Sequence, residues 1–214
     1  DLYDIEQIRA VATSAVREAN NSDSLLDRIF MATGLDVAVI DTSEESRLTV
    51  LAVHQALLDA EVEQQGLTLI ADVGGGSTLL TVLDGTDIRA AQSLRLGSVR
   101  MQEVLETTTE PPDKAAELLR QQTANAVNAA TSSLPLRAIR SLVAVGGDVR
   151  FAARRVGHPT GSEDLVAIRR QDLDRFVDQC RPHSPEELMK RYGLSFGDAE
   201  TLNPALLIYQ RSEE

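Results

Sequence analysis

Two rhythms of apolar and polar positions run along the chain. Short segments rich in Val, Ile, Leu and Thr, bounded by Gly, Asp or Ser, predict strands: "IRAVAT", "LDVAVID", "LTLIADV", "TLLTVLDG" and "DIRAAQSLRLG". "IRSLVAVGG" is apolar nearly throughout and predicts a buried strand. Longer segments repeat their apolar residues at helical spacing. "SDSLLDRIFMATG" carries Leu25, Leu26, Ile29 and Phe30 ahead of a Gly34 stop. "SEESRLTVLAVHQALLDAEVEQQ" predicts a long helix with Leu48, Leu51, Ala52, Gln55 and Leu58 along one side. "EPPDKAAELLRQQTANAVNAATSSL" begins on prolines, where a missing N–H costs least. Helical segments fill most of the remainder, from "DVRFAARRVG" to "DAETLNPALLIYQRS". Strands interleaved with helices predict an α/β chain. Its weakest join is "EVEQQG", which divides residues 1–65 from residues 66–214.

Composition narrows the function classes. The 214 residues carry a net charge of -12, opposite to the basic footprint that nucleic acid requires. Aromatic residues make up 3% and Trp is absent, so base-stacking platforms are scarce. No apolar run approaches a membrane span, and "DLYDIEQ" lacks the basic head and apolar core of a signal peptide. Cys180 is the single cysteine, which fits a reducing cytoplasm. His54, His158 and His183 have no metal-ligand spacing. Five arginines between Arg137 and Arg155 suit either a solvated helix face or local contact with a polyanion.

The candidate chemistry lies in "LTLIADVGGGSTLLTVLDG". Gly74, Gly75 and Gly76 join two strand-like runs directly, so this predicts a hairpin rather than a strand-to-helix phosphate loop. Glycines can adopt the positive φ that a tight hairpin needs and let backbone N–H groups approach an anion, and Ser77 adds a hydroxyl. Asp72, at the strand's end, sits where a carboxylate can hold hydrated Mg2+ beside phosphate. A plain glycine turn explains these residues equally well when they are taken alone. The second unit, "LVAVGGDVR", adds Gly146 and Gly147, and two such turns can face one polyphosphate from opposite sides.

Taken together, "AVATSAVREANN", "IDTSEESRLTVLAV", "IADVGGGSTLLTVLDG", "SLRLGSVRMQE", "VAVGGDVRFAARR" and "YGLSFGDAETLNPALLIY" resemble, in order, segments of the exopolyphosphatase/guanosine pentaphosphatase family. The resemblance covers nearly the whole chain. It implies the actin-like ATPase (ribonuclease H-like) fold, with two lobes of which the first is truncated. It implies hydrolysis of terminal phosphate from inorganic polyphosphate or guanosine pentaphosphate, with Mg2+ as cofactor. Glu45 matches the general base, Arg17 a phosphate-contacting arginine, Asp72 with Gly74, Gly75, Gly76 and Ser77 the phosphate loop, and Gly146 with Gly147 the second turn.

Departures from the family pattern set further expectations. Leu79 stands where the family loop has glutamate, and Asp148 where it has a small residue. Both favour an alternative in which the chain binds polyphosphate or a guanosine alarmone without turnover. Nothing preceding "IRAVAT" resembles the family's first phosphate loop, "D-x-GSNS", and its "REG" strand is also missing. These residues by themselves are therefore expected to release no phosphate, and the bared first-lobe sheet edge to favour a homodimer.

Overall fold

The computed structural model describes residues 7–59, 66–105, 110–130, 133–135, 138–162 and 164–213. Its centre is a four-stranded sheet of β3 (Leu67–Val73), β4 (Thr78–Asp84), β5 (Asp87–Leu94) and β6 (Ile139–Val145), in the order β5-β4-β3-β6. β3, β4 and β5 form an antiparallel meander, while β6 runs parallel to β3. Ahead of them, β1 (Ala10–Ala12) and β2 (Val37–Val39) form a separate parallel pair. Between that pair come α1 (Ser14–Arg17) and α2 (Ser22–Thr33), and α3 (Thr42–Asp59) leads on toward the large sheet. The expected join at "EVEQQG" falls mainly on residues 60–65, outside the described residues.

One face of the sheet carries the main core. Leu69, Ala71, Val73, Leu80 and Val82 pack there with residues of α4 (Ser98–Leu105), α5 (Pro112–Ala130), α6 (Gly147–Val156), α7 (Arg170–Cys180), α8 (Pro185–Tyr192) and α9 (Phe196–Glu213). α9 is the pillar of this layer: Ala205 through Tyr209 are all buried, so this stretch of the helix is apolar all round. Pro204 lies inside it and has no N–H for the carbonyl of Glu200. The Gln102 side chain donates to that carbonyl instead, tying α4 to α9 at the break. A short hairpin of β7 (His158–Pro159) and β8 (Val166–Ala167), not expected from the sequence, follows α6.

The opposite face is covered by α3. Val50, Val53 and Leu57 pack on Ile70 and Leu83, and the buried hydroxyls of Ser46 and Thr81 meet at 3.3 Å. This corrects the expected orientation of the helix. Leu48, Leu51 and Leu58 are exposed, because Ser46, Val50, Val53 and Leu57 follow the helical repeat on the other side. β6 also differs from expectation. It is an edge strand in the described sheet, and its side chains are half-buried rather than buried. A cavity of about 600 Å³ runs along it, walled by Leu142, Val143, Val149, Leu165, Leu173 and Tyr209. Among the described residues no helix is long and apolar enough to cross a membrane.

Candidate functional site

β3 turns directly into β4 through Gly74–Ser77, as the strand–glycine–strand pattern predicts. Positive φ, one of the two reasons expected for the glycines, is absent. None of Gly74, Gly75 and Gly76 adopts a positive φ. Of the three, Gly76 is the crowded one: a Cβ there would lie 2.9 Å from Ser14 Oγ in α1, whereas one on Gly75 would make an ordinary 3.4 Å contact with Val99 Cγ2 in α4. Gly97, which carries no local signal in the sequence, is the tightest position. Its Cβ would lie 2.5 Å from the Gly75 carbonyl carbon, and nearer still to Gly75 O and Gly76 C.

The hairpin is clamped through its carbonyls. Ser98 N donates to Gly74 O at 3.0 Å, and Val99 N and Arg100 N both donate to Gly75 O at 3.0 Å. The Arg100 side chain donates from Nε to Gly76 O at 2.6 Å. The hydroxyl of buried Thr78 donates to Leu96 O at 2.5 Å, locking the segment before α4 to the hairpin. A trans peptide is planar, with C=O and N–H pointing in opposite directions, and the described chain has no cis peptide. Anchoring three carbonyls toward α4 and Arg100 therefore turns the amides of Gly75, Gly76 and Ser77 the other way. Among the described residues none of those three amides donates to a backbone carbonyl. Successive amides aimed in one direction can hold an anion.

The carboxylates lie on the α3 side of the sheet. Asp41 caps α3, its Oδ1 accepting from Glu44 N at 2.8 Å. Glu44 then pairs with Arg47 in solvent, whereas Glu45 turns inward, its side chain 18% exposed. Arg17 grips Glu45: Nη1 and Nη2 each reach Oε2 at 3.2 Å, while Nη1 also donates to Ile40 O at 2.6 Å. Arg17 is thus joined to the candidate base. Among the described residues, no hydrogen bond occupies Glu45 Oε1. Asp72 is largely buried at the end of β3. Burial raises its pKa above the ordinary carboxylate range, the charge of Glu45 adds to the rise, and a hydrogen bond involving Thr49 offsets part of it. Leu79 is directly opposite Asp72 in the antiparallel pair and is buried.

The second glycine turn lies beside the first. β3 and β6 are parallel neighbours, with Asp72 in register with Val145, so both turns leave the same end of the sheet. Gly146 has φ 144°, and a Cβ there would lie 2.5 Å from Tyr209 Oη and 3.0 Å from Val73 O. Tyr209 donates to Val145 O at 2.5 Å and so plugs the space between the turns. Burial, reinforced by Asp72, raises its pKa. Gly147 opens α6. Asp148 turns its carboxylate to Thr201 Oγ1, 3.2 Å away, and burial raises its pKa. The roles of Gly97, Arg100, Ser14 and Tyr209 had no local signal in the sequence, since each depends on contacts across elements.

A four-stranded sheet flanked by helices, with a glycine hairpin, a carboxylate at its base and a glutamate on the facing helix, defines a mixed α/β protein with one polar site at the end of its sheet. The chain belongs to the Ppx/GppA phosphatase family, whose model matches residues 1–212. It is 31% identical over 208 residues, 97% of its length, to a guanosine-5'-triphosphate,3'-diphosphate pyrophosphatase of Vibrio atlanticus, covering 37% of that protein. It is 40% identical over 95 residues to exopolyphosphatase 1 of Mycobacterium leprae, matching 44% of this chain and 27% of the relative. The chain thus spans well under two thirds of these relatives. A crystal structure of an Aquifex aeolicus Ppx/GppA family member shares its fold, with TM-score 0.72 and 23% identity over 97% of this chain and 66% of that one. An exopolyphosphatase of Cytophaga hutchinsonii does likewise, with TM-score 0.73 and 22% identity over 95% and 66%.

Proposed function

We propose that this chain carries the phosphate-holding and base-bearing parts of a phosphoanhydride hydrolase acting on inorganic polyphosphate or guanosine pentaphosphate. The observation that supports it best is the clamped hairpin, which aims the amides of Gly75, Gly76 and Ser77 one way. Fixed donors of this kind stabilise charge developing on phosphoryl oxygens. Gly146 and Gly147, beside them, extend the phosphate-binding surface. Glu45 is the general base. Arg17 occupies Oε2, leaving Oε1 to orient a water. The water oxygen bonds to the terminal phosphorus, Glu45 takes its proton, and the bridging P–O bond breaks. Orthophosphate and a shortened phosphate chain result.

Asp72 suits a divalent cation. It is a largely buried carboxylate electrostatically coupled to Glu45, and Mg2+ is commonly bound through one or two carboxylates plus waters and substrate phosphates. When bound, the ion would neutralise charge on the phosphates. Among the described residues no group of three or more His, Cys, Asp and Glu could hold a metal by itself.

The test is calorimetric titration of tripolyphosphate with Mg2+ into wild type, Gly75→Val and Glu45→Gln. Wild type and Glu45→Gln should bind, and Gly75→Val should not, its side chain crowding Val99 and the phosphate face. Orthophosphate release is followed in parallel, in this chain and in a version extended at its amino terminus. In the extended version Glu45→Gln should slow release by roughly 10²–10⁴ at equal occupancy. Full binding by Gly75→Val, or unchanged release by Glu45→Gln in an active extended version, would overturn the reading.

A further inference from the structure

Arg100 does more than fill a helix turn. Its backbone N donates to Gly75 O at 3.0 Å, and its Nε donates to Gly76 O at 2.6 Å. Its Nη2 reaches Glu18 Oε2 at 3.1 Å, and Arg95 meets the same oxygen at 3.2 Å. Glu18 directly follows Arg17, which grips Glu45. Ser14, at the other end of α1, faces Gly76. The α1 segment therefore spans the site. One side chain holds the candidate base, the next holds the arginine that holds the hairpin, and a third abuts the hairpin's tip.

We infer that Arg100, steered by Glu18, is a positioning residue. It fixes the Gly76–Ser77 peptide plane and sets the hairpin amides at a defined distance from Glu45. This rests on the reading of the hairpin as a phosphate site. The physical case is the carbonyl of Gly76. The carbonyls of Gly74 and Gly75 are held by backbone donors, but Arg100 Nε is the one donor to Gly76 O among the described residues. A peptide flanked by glycine rotates easily when nothing holds it. Rotation of this plane would turn the Ser77 N–H away from the direction shared by Gly75 and Gly76. The guanidinium meets both demands because its planar fork presents several donors in fixed directions. Arg100 is 20% exposed and Glu18 32%, so the pair is partly sheltered from solvent.

The experiment measures ¹⁵N order parameters at Gly75, Gly76 and Ser77 without ligand, then tripolyphosphate affinity with Mg2+, in wild type, Arg100→Met, Arg100→Lys and Glu18→Gln. In Arg100→Met the Gly76 and Ser77 order parameters should fall from about 0.85 toward 0.6. Affinity should drop by roughly tenfold or more, consistent with loss of one charge-assisted hydrogen bond. Arg100→Lys should recover part of both, and Glu18→Gln should show a weaker version of the Arg100→Met effect. Wild-type order and affinity in Arg100→Met would overturn the inference, and so would a lowered melting temperature with order and affinity unchanged. Should wild type fail to bind tripolyphosphate, the phosphate reading of the hairpin fails, and the proposed role of Arg100 falls with it. The order parameters would then still report whether Arg100 fixes the peptide plane.

Discussion

Replacing Gly97 with alanine adds one methyl group to a site that has no space for it. The new Cβ would sit 2.5 Å from the Gly75 carbonyl carbon and closer still to Gly75 O and Gly76 C, all of them backbone atoms. Comfortable carbon contacts begin near 3.5 Å, so hairpin and α4 must separate by roughly 1 Å. Four hydrogen bonds cross that seam, at 3.0, 3.0, 3.0 and 2.6 Å, and an added ångström takes them beyond bonding distance. At a net contribution of about 0.5–1.5 kcal/mol each, losing all four costs about 2–6 kcal/mol, and partial relaxation favours the lower end. A cost of about 2 kcal/mol corresponds to roughly 4–8 °C in Tm for a chain of this size. The assay is thermal and urea unfolding of Gly97→Ala, followed by tripolyphosphate titration of the folded protein. Affinity should fall along with stability, because the same carbonyls aim the amides. Gly197→Ala is the control: nothing lies within 4 Å of its Cβ, and it sits in a helix that favours alanine. A Gly97→Ala protein within about 0.5 kcal/mol of wild type, the scale of a neutral surface substitution, would refute the seam as described.

Leu79→Glu should place a second carboxylate opposite Asp72, lowering Tm without metal and regaining stability when Mg2+ is added; a Tm shift indifferent to Mg2+ would show that the two side chains do not share a site. Asp72 has a raised pKa in the folded state, so its ionisation opposes folding: the stability it contributes is present below the unfolded value near 3.9 and is lost as pH rises through the folded pKa. Asp72→Asn should therefore raise Tm at pH 7, with the gain vanishing as pH falls below about 4, and an equal gain at both pH values would remove that explanation.

The hairpin was legible because its signal is local. Alternating Thr, Val and Leu on both sides of the glycines leave little room for a helix, and β3 and β4 form where that pattern places them. The face of α3 was not legible. Apolar residues surround that helix, and only packing on Ile70 and Leu83 selects Val50, Val53 and Leu57 over Leu48, Leu51 and Leu58. "IRSLVAV" read as a buried strand because composition reports apolarity, not the number of neighbours, and β6 has one. The turn formed at the glycines as expected, but without the positive φ expected of them. Positive φ is a property of one residue, whereas the crowding at Gly76 and Gly97 comes from Ser14 and from Gly75, distant in sequence. Arg100 was invisible for the same cause: it acts on Gly76 and Glu18, both far from it along the chain.

The most direct measurement of the central claim is a ¹H–¹⁵N titration of the protein with tripolyphosphate in the presence of Mg2+. Amides that take up a phosphate oxygen move downfield as the new hydrogen bond forms. The account predicts the largest saturable downfield shifts at Gly75, Gly76 and Ser77, with smaller ones at Gly146 and Gly147, and loss of all of them in Gly75→Val. Saturable binding that leaves those three amides unmoved would contradict it.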